Sequence, residues 1–322
     1  MGISGAGAEM KLHAILSLVA VGVTAGCSGL SQGRTQEPVV GHYSPAMVKD
    51  RRLTVFPFAG DAVSLELPVA LRGLTFSSAG RKIYGIVDSY DGGKSVLASV
   101  EINTGSLTPL FSLTPFSSIL GVTIDVRETT GIVSATLQRN GPRQCGLFKV
   151  DVAHGTIEHL ADNVTGECGD YSSSWSGLSI SPDGTQMVGT AQKGQLGIVD
   201  LKTGRVEKLW RGTAASWSPD GKWIAVLTYD EPMQISLMRA DDFSVQRNLG
   251  SDKSGNLEWS PDSRYLLLWN AGFCGLGSGY IGSLEARNIQ TYRRIPIRSS
   301  ECKVDLMTTG WVDDDVVEIE KR

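Results

Sequence analysis

The clearest pattern along the chain is a short polar turn that separates two apolar stretches. It occurs in full three times, at Leu178–Gly184, Ala215–Gly221 and Leu257–Ser263, and each copy carries the tripeptide Ser-Pro-Asp. An apolar stretch follows each turn, as at Trp223–Leu227 and Tyr265–Trp269. Proline pre-sets the backbone φ for a tight turn, and glycine after it tolerates a positive φ. We therefore predict β-hairpins whose strands, apolar on both faces, lie between neighbouring sheets.

A second hairpin follows each of these inner hairpins, and its hydrophobicity alternates. Leu196–Leu209 alternates around a Thr-Gly turn, as the outer strands of a sheet should. Two further segments repeat this pattern closely, Leu97–Leu110 and Leu147–Leu160, and looser versions occur at Ile235–Leu249 and Tyr280–Ile295. Each repeat therefore predicts four strands, two inner and apolar, two outer and alternating.

Counting these units predicts the number of blades in a propeller. Degenerate inner hairpins at Leu74–Val87 and Ile119–Leu137 join the three full copies and make five blades. A sixth is expected to be split, with Leu306–Ile319 as its inner hairpin and Leu53–Leu67 as its outer one. We thus predict an all-β, six-bladed β-propeller over residues 50–322, closed by N- and C-terminal strands that share one blade. Seven blades is the alternative, but the sequence offers no strands for it.

The Ser-Pro-Asp-Gly turn resembles the repeat of TolB-type propellers. The resemblance implies the six-bladed fold. It implies little about activity, because many unrelated propellers share this turn. TolB has a further domain before its propeller, for which we see no counterpart here.

The beginning of the chain has the pattern of an export signal. Met10 and Lys11 precede the apolar run Leu12–Val23, and small residues lead to Cys27. The ending Ala-Gly-Cys resembles a bacterial lipobox, which implies a lipid on Cys27. We expect a signal peptide at 1–26, a flexible tether at 27–49, and a lipid-anchored protein of the bacterial cell envelope that faces the periplasm or the outside. A plain signal peptide is the alternative.

The four remaining cysteines suggest disulfides, because exported chains commonly oxidise an even number of them. Cys145 and Cys274 each lie between a second and a third strand, whereas Cys168 and Cys302 each follow a fourth strand. Strands alternate in direction, so these loops emerge on one face of the ring. We expect the pairs Cys145–Cys168 and Cys274–Cys302, with four free buried thiols as the alternative.

No motif for chemistry stands out. A net charge of −4 argues against nucleic acid. There is no Gly-x-Ser-x-Gly elbow, and Gly92–Ser95 lacks the first glycine of a phosphate loop. Histidines are too few and too scattered for a metal site, and Asp313–Asp315 has the pattern of a solvated turn. We expect neither a metal nor a cofactor.

The predicted function is a non-catalytic binding or scaffold module that docks a protein, peptide or glycan on the disulfide-bearing face. That face would carry the longest loops, with aromatic and charged side chains of the kind that dominate binding energies. The candidate contacts are Asp170, Tyr171, Trp175, Phe273, Tyr280, Arg298, Glu301 and Lys303. An envelope lyase or hydrolase, with its site at the mouth of the central channel, is the alternative.

Overall fold

The computed structural model describes twelve stretches of the chain, all within one unit that spans Gly41–Arg322. These stretches are residues 43–58, 61–77, 79–90, 94–125, 127–137, 144–162, 176–191, 194–228, 233–251, 254–273, 280–299 and 308–318.

Almost all regular structure in these residues is β-strand. Three strands come first: β1 (Tyr43–Lys49), β2 (Arg52–Val55) and β3 (Val63–Glu66). Five four-stranded sheets follow, called blades 1 to 5 in chain order. Blade 1 contains β4 (Arg72–Phe76), β5 (Lys82–Tyr90), β6 (Lys94–Glu101) and β7 (Leu107–Ser112), and blade 2 contains β8 (Phe116–Ile124), β9 (Thr130–Leu137), β10 (Gln144–Asp151) and β11 (Ile157–Asp162). Blade 3 contains β12 (Ser176–Ile180), β13 (Gln186–Ala191), β14 (Gln195–Asp200) and β15 (Val206–Arg211), blade 4 contains β16 (Ala214–Trp217), β17 (Trp223–Thr228), β18 (Gln234–Arg239) and β19 (Val245–Ser251), and blade 5 contains β20 (Ser254–Trp259), β21 (Tyr265–Phe273), β22 (Tyr280–Asn288) and β23 (Arg294–Ser299). The described chain ends with β24 (Thr308–Asp313) and the short helix α1 (Asp314–Glu318).

The closing blade joins the two ends of the ring in the order β24-β1-β2-β3. In this blade β1 pairs with β24 on one side, Ala46 opposite Gly310, and with β2 on the other, Ala46 opposite Val55. Each inner strand contacts those of the blades beside it, from β4 through β8, β12, β16 and β20 to β24 and back to β4. The predicted six-bladed β-propeller, with one blade shared by the two ends, is therefore confirmed.

Two details of the predicted closure are wrong. The blade takes one strand from the C-terminal side and three from the N-terminal side, because Asp314 begins a helix where we predicted the turn of a hairpin. The additional strand on the N-terminal side is β1, which lies within the predicted tether. Pro45 argues against a strand there because proline lacks an N–H, yet its carbonyl still accepts a hydrogen bond from the Phe56 amide at 2.8 Å.

The repeated turn is held by a serine that serves as both donor and acceptor. Ser218 is fully buried. Its Oγ donates to Asp220 Oδ1 at 2.6 Å and accepts the Trp223 amide at 2.9 Å. Gly221 completes this turn at φ +70°, a conformation that suits glycine. Ser181 and Ser260 donate to Asp183 and Asp262 in the same way.

The core lies between neighbouring blades. Ile224 and Leu227 of β17 are both fully buried, and they belong to clusters on opposite faces of their sheet. Packing is also close where the ring closes, since a Cβ on Gly310 would lie 2.1 Å from the Phe76 ring. Apolar burial on both faces is what holds each blade in the ring.

The ring has two different faces. The turn face carries the turns between first and second strands and between third and fourth strands. The loop face carries the loops between second and third strands and the connections between blades. Within the described stretches, no helix is long and apolar enough to cross a membrane.

Candidate functional site

The inner strands of all six blades surround a central channel of about 530 Å³. This volume is within the range of small-molecule binding sites, roughly 300–1,000 Å³. No lysine or arginine is among the described residues that line it. The channel wall therefore combines polar and apolar groups without positive charge.

One position of each inner strand supplies a layer of this wall. The position is two residues before the start of the turn that follows the strand, and its occupants all line the channel: Thr75, Thr123, Ser179, Ser216, Glu258 and Trp311. Four blades thus contribute a hydroxyl and the closing blade an indole. Blade 5 alone contributes a carboxyl group, that of Glu258.

Burial in the channel raises the pKa of the Glu258 carboxyl to about 7. Some of its surface remains accessible from the channel, but the surrounding protein replaces most of its water, which disfavours the charged form. No described residue forms an ion pair or side-chain hydrogen bond with it. The carboxyl group therefore keeps its proton to a higher pH than an exposed glutamate does.

Tryptophans fix the wall around Glu258. Trp311 donates its Nε1–H to the backbone carbonyl of Glu258 at 3.3 Å, and Trp259 donates its own to the carbonyl of Ser216 at 2.9 Å. Each bond joins the inner strands of two adjacent blades. Both indoles are nearly fully buried and line the channel, so this wall is aromatic and rigid.

Two other ionisable residues line the described channel, and both are engaged in local structure. Asp125 accepts the amides of Thr129 and Thr130 at 2.7 and 2.9 Å. Tyr84 donates its hydroxyl to Glu128 at 2.6 Å, and burial and this carboxylate raise the pKa of the phenol. Glu258 is therefore the ionisable group of this wall that remains open to a ligand.

Comparison with known proteins supports the fold. No family model matches the chain, and no curated protein matches its sequence. Among solved structures, TolB from Acinetobacter baumannii is similar, with a TM-score of 0.58 and 14% identity over 84% of this chain and 66% of that chain. This chain shares the propeller fold of TolB. Hydrazine synthase from Kuenenia stuttgartiensis also matches, with a TM-score of 0.47 and 14% identity over 70% of this chain and 67% of that chain.

The match to TolB agrees with the resemblance that the Ser-Pro-Asp-Gly turns suggested. At 14% identity it concerns the fold, and it spans slightly under two thirds of the TolB chain. In this TolB-like ring, the described residues contain no group of three or more histidine, cysteine, aspartate or glutamate side chains that could hold a metal ion.

Three of the predicted contact residues lie at the loop-face end of blade 5. Phe273 ends β21 opposite Tyr280, which begins β22, and Arg298 lies in β23 opposite Leu284. The other five predicted contacts, Asp170, Tyr171, Trp175, Glu301 and Lys303, lie outside the described residues. The contact surface remains a prediction.

Of the cysteines, only Cys145 lies within the described residues. It is the second residue of β10, at the loop-face end, and is 5% exposed. Cys27, Cys168, Cys274 and Cys302 lie outside the described residues. The two disulfide pairs and the lipid site therefore remain predictions.

Glu258 was missed by the sequence analysis, although the repeat itself carries the signal. Aligning the three full copies on Ser-Pro-Asp places Ser179, Ser216 and Glu258 at the same position. A carboxyl group in place of a small hydroxyl, on an inner strand of a propeller, marks a departure that packing does not require. A register-by-register comparison of the repeats would have found it.

Proposed function

We propose that the protein is a non-catalytic binding or scaffold module of the bacterial cell envelope, and that it docks a protein, peptide or glycan. The observation that supports this most is the rigid central channel, whose volume and mixed wall suit a bound ligand. The likeness of its fold to TolB agrees with a scaffold role. Propellers as a class present loops on a rigid ring, which is where binding residues concentrate.

We further propose that the loop face makes the first contact with the partner. Its longest connections lie beside blades 2 and 5, where the predicted disulfides Cys145–Cys168 and Cys274–Cys302 would hold them in one shape. Such constraint reduces the entropy lost on binding. The described turns of the opposite face are tight, with few side chains to grip a partner.

Paired substitutions test this choice of face. Tyr171→Ala with Trp175→Ala should reduce capture of an envelope partner by at least tenfold, because aromatic anchors dominate binding energy. The control is Lys202→Ala with Arg205→Ala, on the exposed turn after β14, which should leave capture unchanged. If only the control pair weakens capture while both variants remain folded, the loop face is the wrong surface.

The envelope location has its own test at Cys27. With Cys27→Ser we expect a protein that is no longer lipidated, and that either remains uncleaved or moves to the soluble fraction. Fractionation and mass spectrometry of the mature N-terminus measure both. A fully processed mutant that stays in the membrane fraction contradicts the anchor.

An envelope enzyme is the second candidate function, and the raised pKa of Glu258 favours it. A carboxyl group with a pKa near 7 is suited to general acid or base catalysis at neutral pH. The described channel wall offers the hydroxyls of Ser179 and Ser216 in the same layer, but it holds no histidine or lysine that could activate them. Turnover of a glycan or peptide substrate that is abolished by Glu258→Gln would establish this function in place of the first.

A further inference from the structure

The inference concerns Glu258 and rests on the proposed binding function. We propose that Glu258 anchors a cationic group of the ligand, an alkylammonium or a guanidinium, inside the central channel. The proposal gives a chemical class to the part of the ligand that enters the ring.

Charge complementarity is the first argument. The described wall holds carboxyl groups and no lysine or arginine, so the potential inside the channel favours cations. The elements packed against β20 are β16, β17, β21 and β24. At the level of Glu258 the channel lining holds Ser216 and Trp311, and Leu267 lies opposite Glu258 in the sheet. None of these residues is charged, and β17 contains no charged residue. A buried carboxylate without a partner is costly, and a bound cation would supply that partner.

The constrained backbone around Glu258 is the second argument. The buried indole of Trp311 donates to the Glu258 carbonyl at 3.3 Å, and that of Trp259 donates to the Ser216 carbonyl at 2.9 Å. Both bonds tie β20 to its neighbouring strands, so the carboxyl group is presented from a fixed strand and less entropy is lost when a ligand binds.

The depth of the site limits the shape of the ligand. Glu258 is the fifth residue of β20, counted from the loop face. At roughly 3.3 Å per residue it lies about 13 Å below that end of the strand. A ligand docked on the loop face, as proposed above, reaches it only with an extended arm, such as a lysine-bearing peptide segment or a linear polyamine. From the turn face the same carboxyl group lies only two residues, or about 7 Å, along the strand.

Binding should depend on pH in a defined direction. Without ligand, the carboxyl of Glu258 has a pKa of about 7, and only its ionised form attracts a cation. Lowering the pH from 8 to 6 protonates the site and should weaken binding about tenfold. A neutral ligand would not show this loss.

The test is calorimetric titration of the purified propeller with three probes at pH 8 and pH 6. The probes are Ac-Gly-Gly-Lys-Gly-Gly-NH2, its glutamine counterpart and free cadaverine. We expect both cations to bind the wild type at pH 8, about tenfold more weakly at pH 6, with the glutamine peptide much weaker. Cadaverine as tight as the lysine peptide assigns the cation to a free polyamine, and a tighter peptide assigns it to a peptide arm.

Two variants complete the design. Glu258→Gln keeps the size of the side chain and should lose at least tenfold of the lysine-peptide affinity. The matched control is Glu158→Gln, which removes a carboxyl charge from the outer strand β11, away from the channel, and should change the affinity by less than threefold. The proposal is overturned if no probe binds the wild type, if the glutamine peptide binds equally, or if Glu258→Gln binds like the wild type. Partner capture that is unchanged by Glu258→Gln but lost with the Tyr171 and Trp175 pair would overturn this inference alone and leave the binding function standing.

Discussion

Replacing Ser260 with alanine should destabilise the ring more than its small size suggests. The side chain is 1% exposed. Its Oγ donates to Asp262 at 2.5 Å and accepts the buried Tyr265 amide at 2.9 Å. Alanine removes these two bonds and a third, from the Arg264 amide at 3.2 Å, and leaves the buried Tyr265 amide without this acceptor. One substitution therefore loosens the turn that joins β20 to β21.

The magnitude follows from the loss of the bond to Asp262 and of the acceptor for the Tyr265 amide. A hydrogen bond to a charged group contributes about 1.5–3 kcal/mol, and a buried unsatisfied amide costs about 1–3 kcal/mol. Because contacting effects are not additive, we expect Ser260→Ala to lower the free energy of unfolding by about 3 kcal/mol. The matched control is Ser244→Ala. Ser244 also donates to an aspartate two residues away, Asp242, at 2.6 Å, but this pair is exposed, and its loss should cost about 0.5 kcal/mol or less.

Urea unfolding followed by tryptophan fluorescence measures both variants. We expect a lower midpoint with an unchanged slope for Ser260→Ala, because the variant changes stability and not the surface exposed on unfolding. Should the two alanine variants lose the same stability, the buried serine is not what holds the repeated turn.

Two further predictions concern other turns. Gly204→Ala should lower the free energy of unfolding by about 3 kcal/mol or more, since its Cβ would lie 1.7 Å from the Leu160 carbonyl oxygen. The control Gly105→Ala, at a similar positive φ but with nothing within 4 Å of its Cβ, should lower it by only about 1–2 kcal/mol. Equal losses of stability in thermal unfolding would contradict this prediction. Burial alone would raise the pKa of Asp220, but hydrogen bonds, that from Ser218 foremost, lower it overall. Its contribution to stability is therefore present above about pH 4 and lost as the pH falls through the lowered pKa. When the midpoint of urea unfolding is measured at a series of pH values, Asp220→Asn should reduce its fall at acid pH. An equally steep fall in the variant would contradict the prediction.

The blades could be predicted because their physics is local. Ser-Pro-Asp turns between apolar runs identify a hairpin without knowledge of the rest of the chain. The hairpins β16–β17 and β20–β21 lie where these turns predict them. Even the degenerate copy at Ile119–Leu137 is a hairpin, β8–β9, whose turn uses Asp125 as the cap.

The closure could not be predicted in detail because its partners are distant in sequence. The segment Tyr43–Lys49 contains Pro45 and no clear alternation, and it becomes a strand only because β24 and β2 lie on either side of it. Tertiary pairing overrides local propensity there. In the same way, Asp314 forms a helix after β24, where composition alone indicated a turn.

The candidate site in the channel was not predicted from the sequence. Loop length and aromatic content indicated the loop face, but the repeats were compared for what they share and not for where they differ. Glu258 becomes notable only once six inner strands are placed around one channel. Its raised pKa depends on that enclosure, which no single repeat contains.

The position of β24 has a consequence for how the protein is made. Ser44 and Asp314, which bond across the closing blade, are 270 residues apart, so the ring stays open until nearly all of the chain has been synthesised. Until then β1 presents an unpaired edge, a template for pairing with another chain. Contacts this distant also slow folding. A chain cut short before Thr308 would keep that edge exposed, which would make incomplete copies more prone to aggregation and proteolysis.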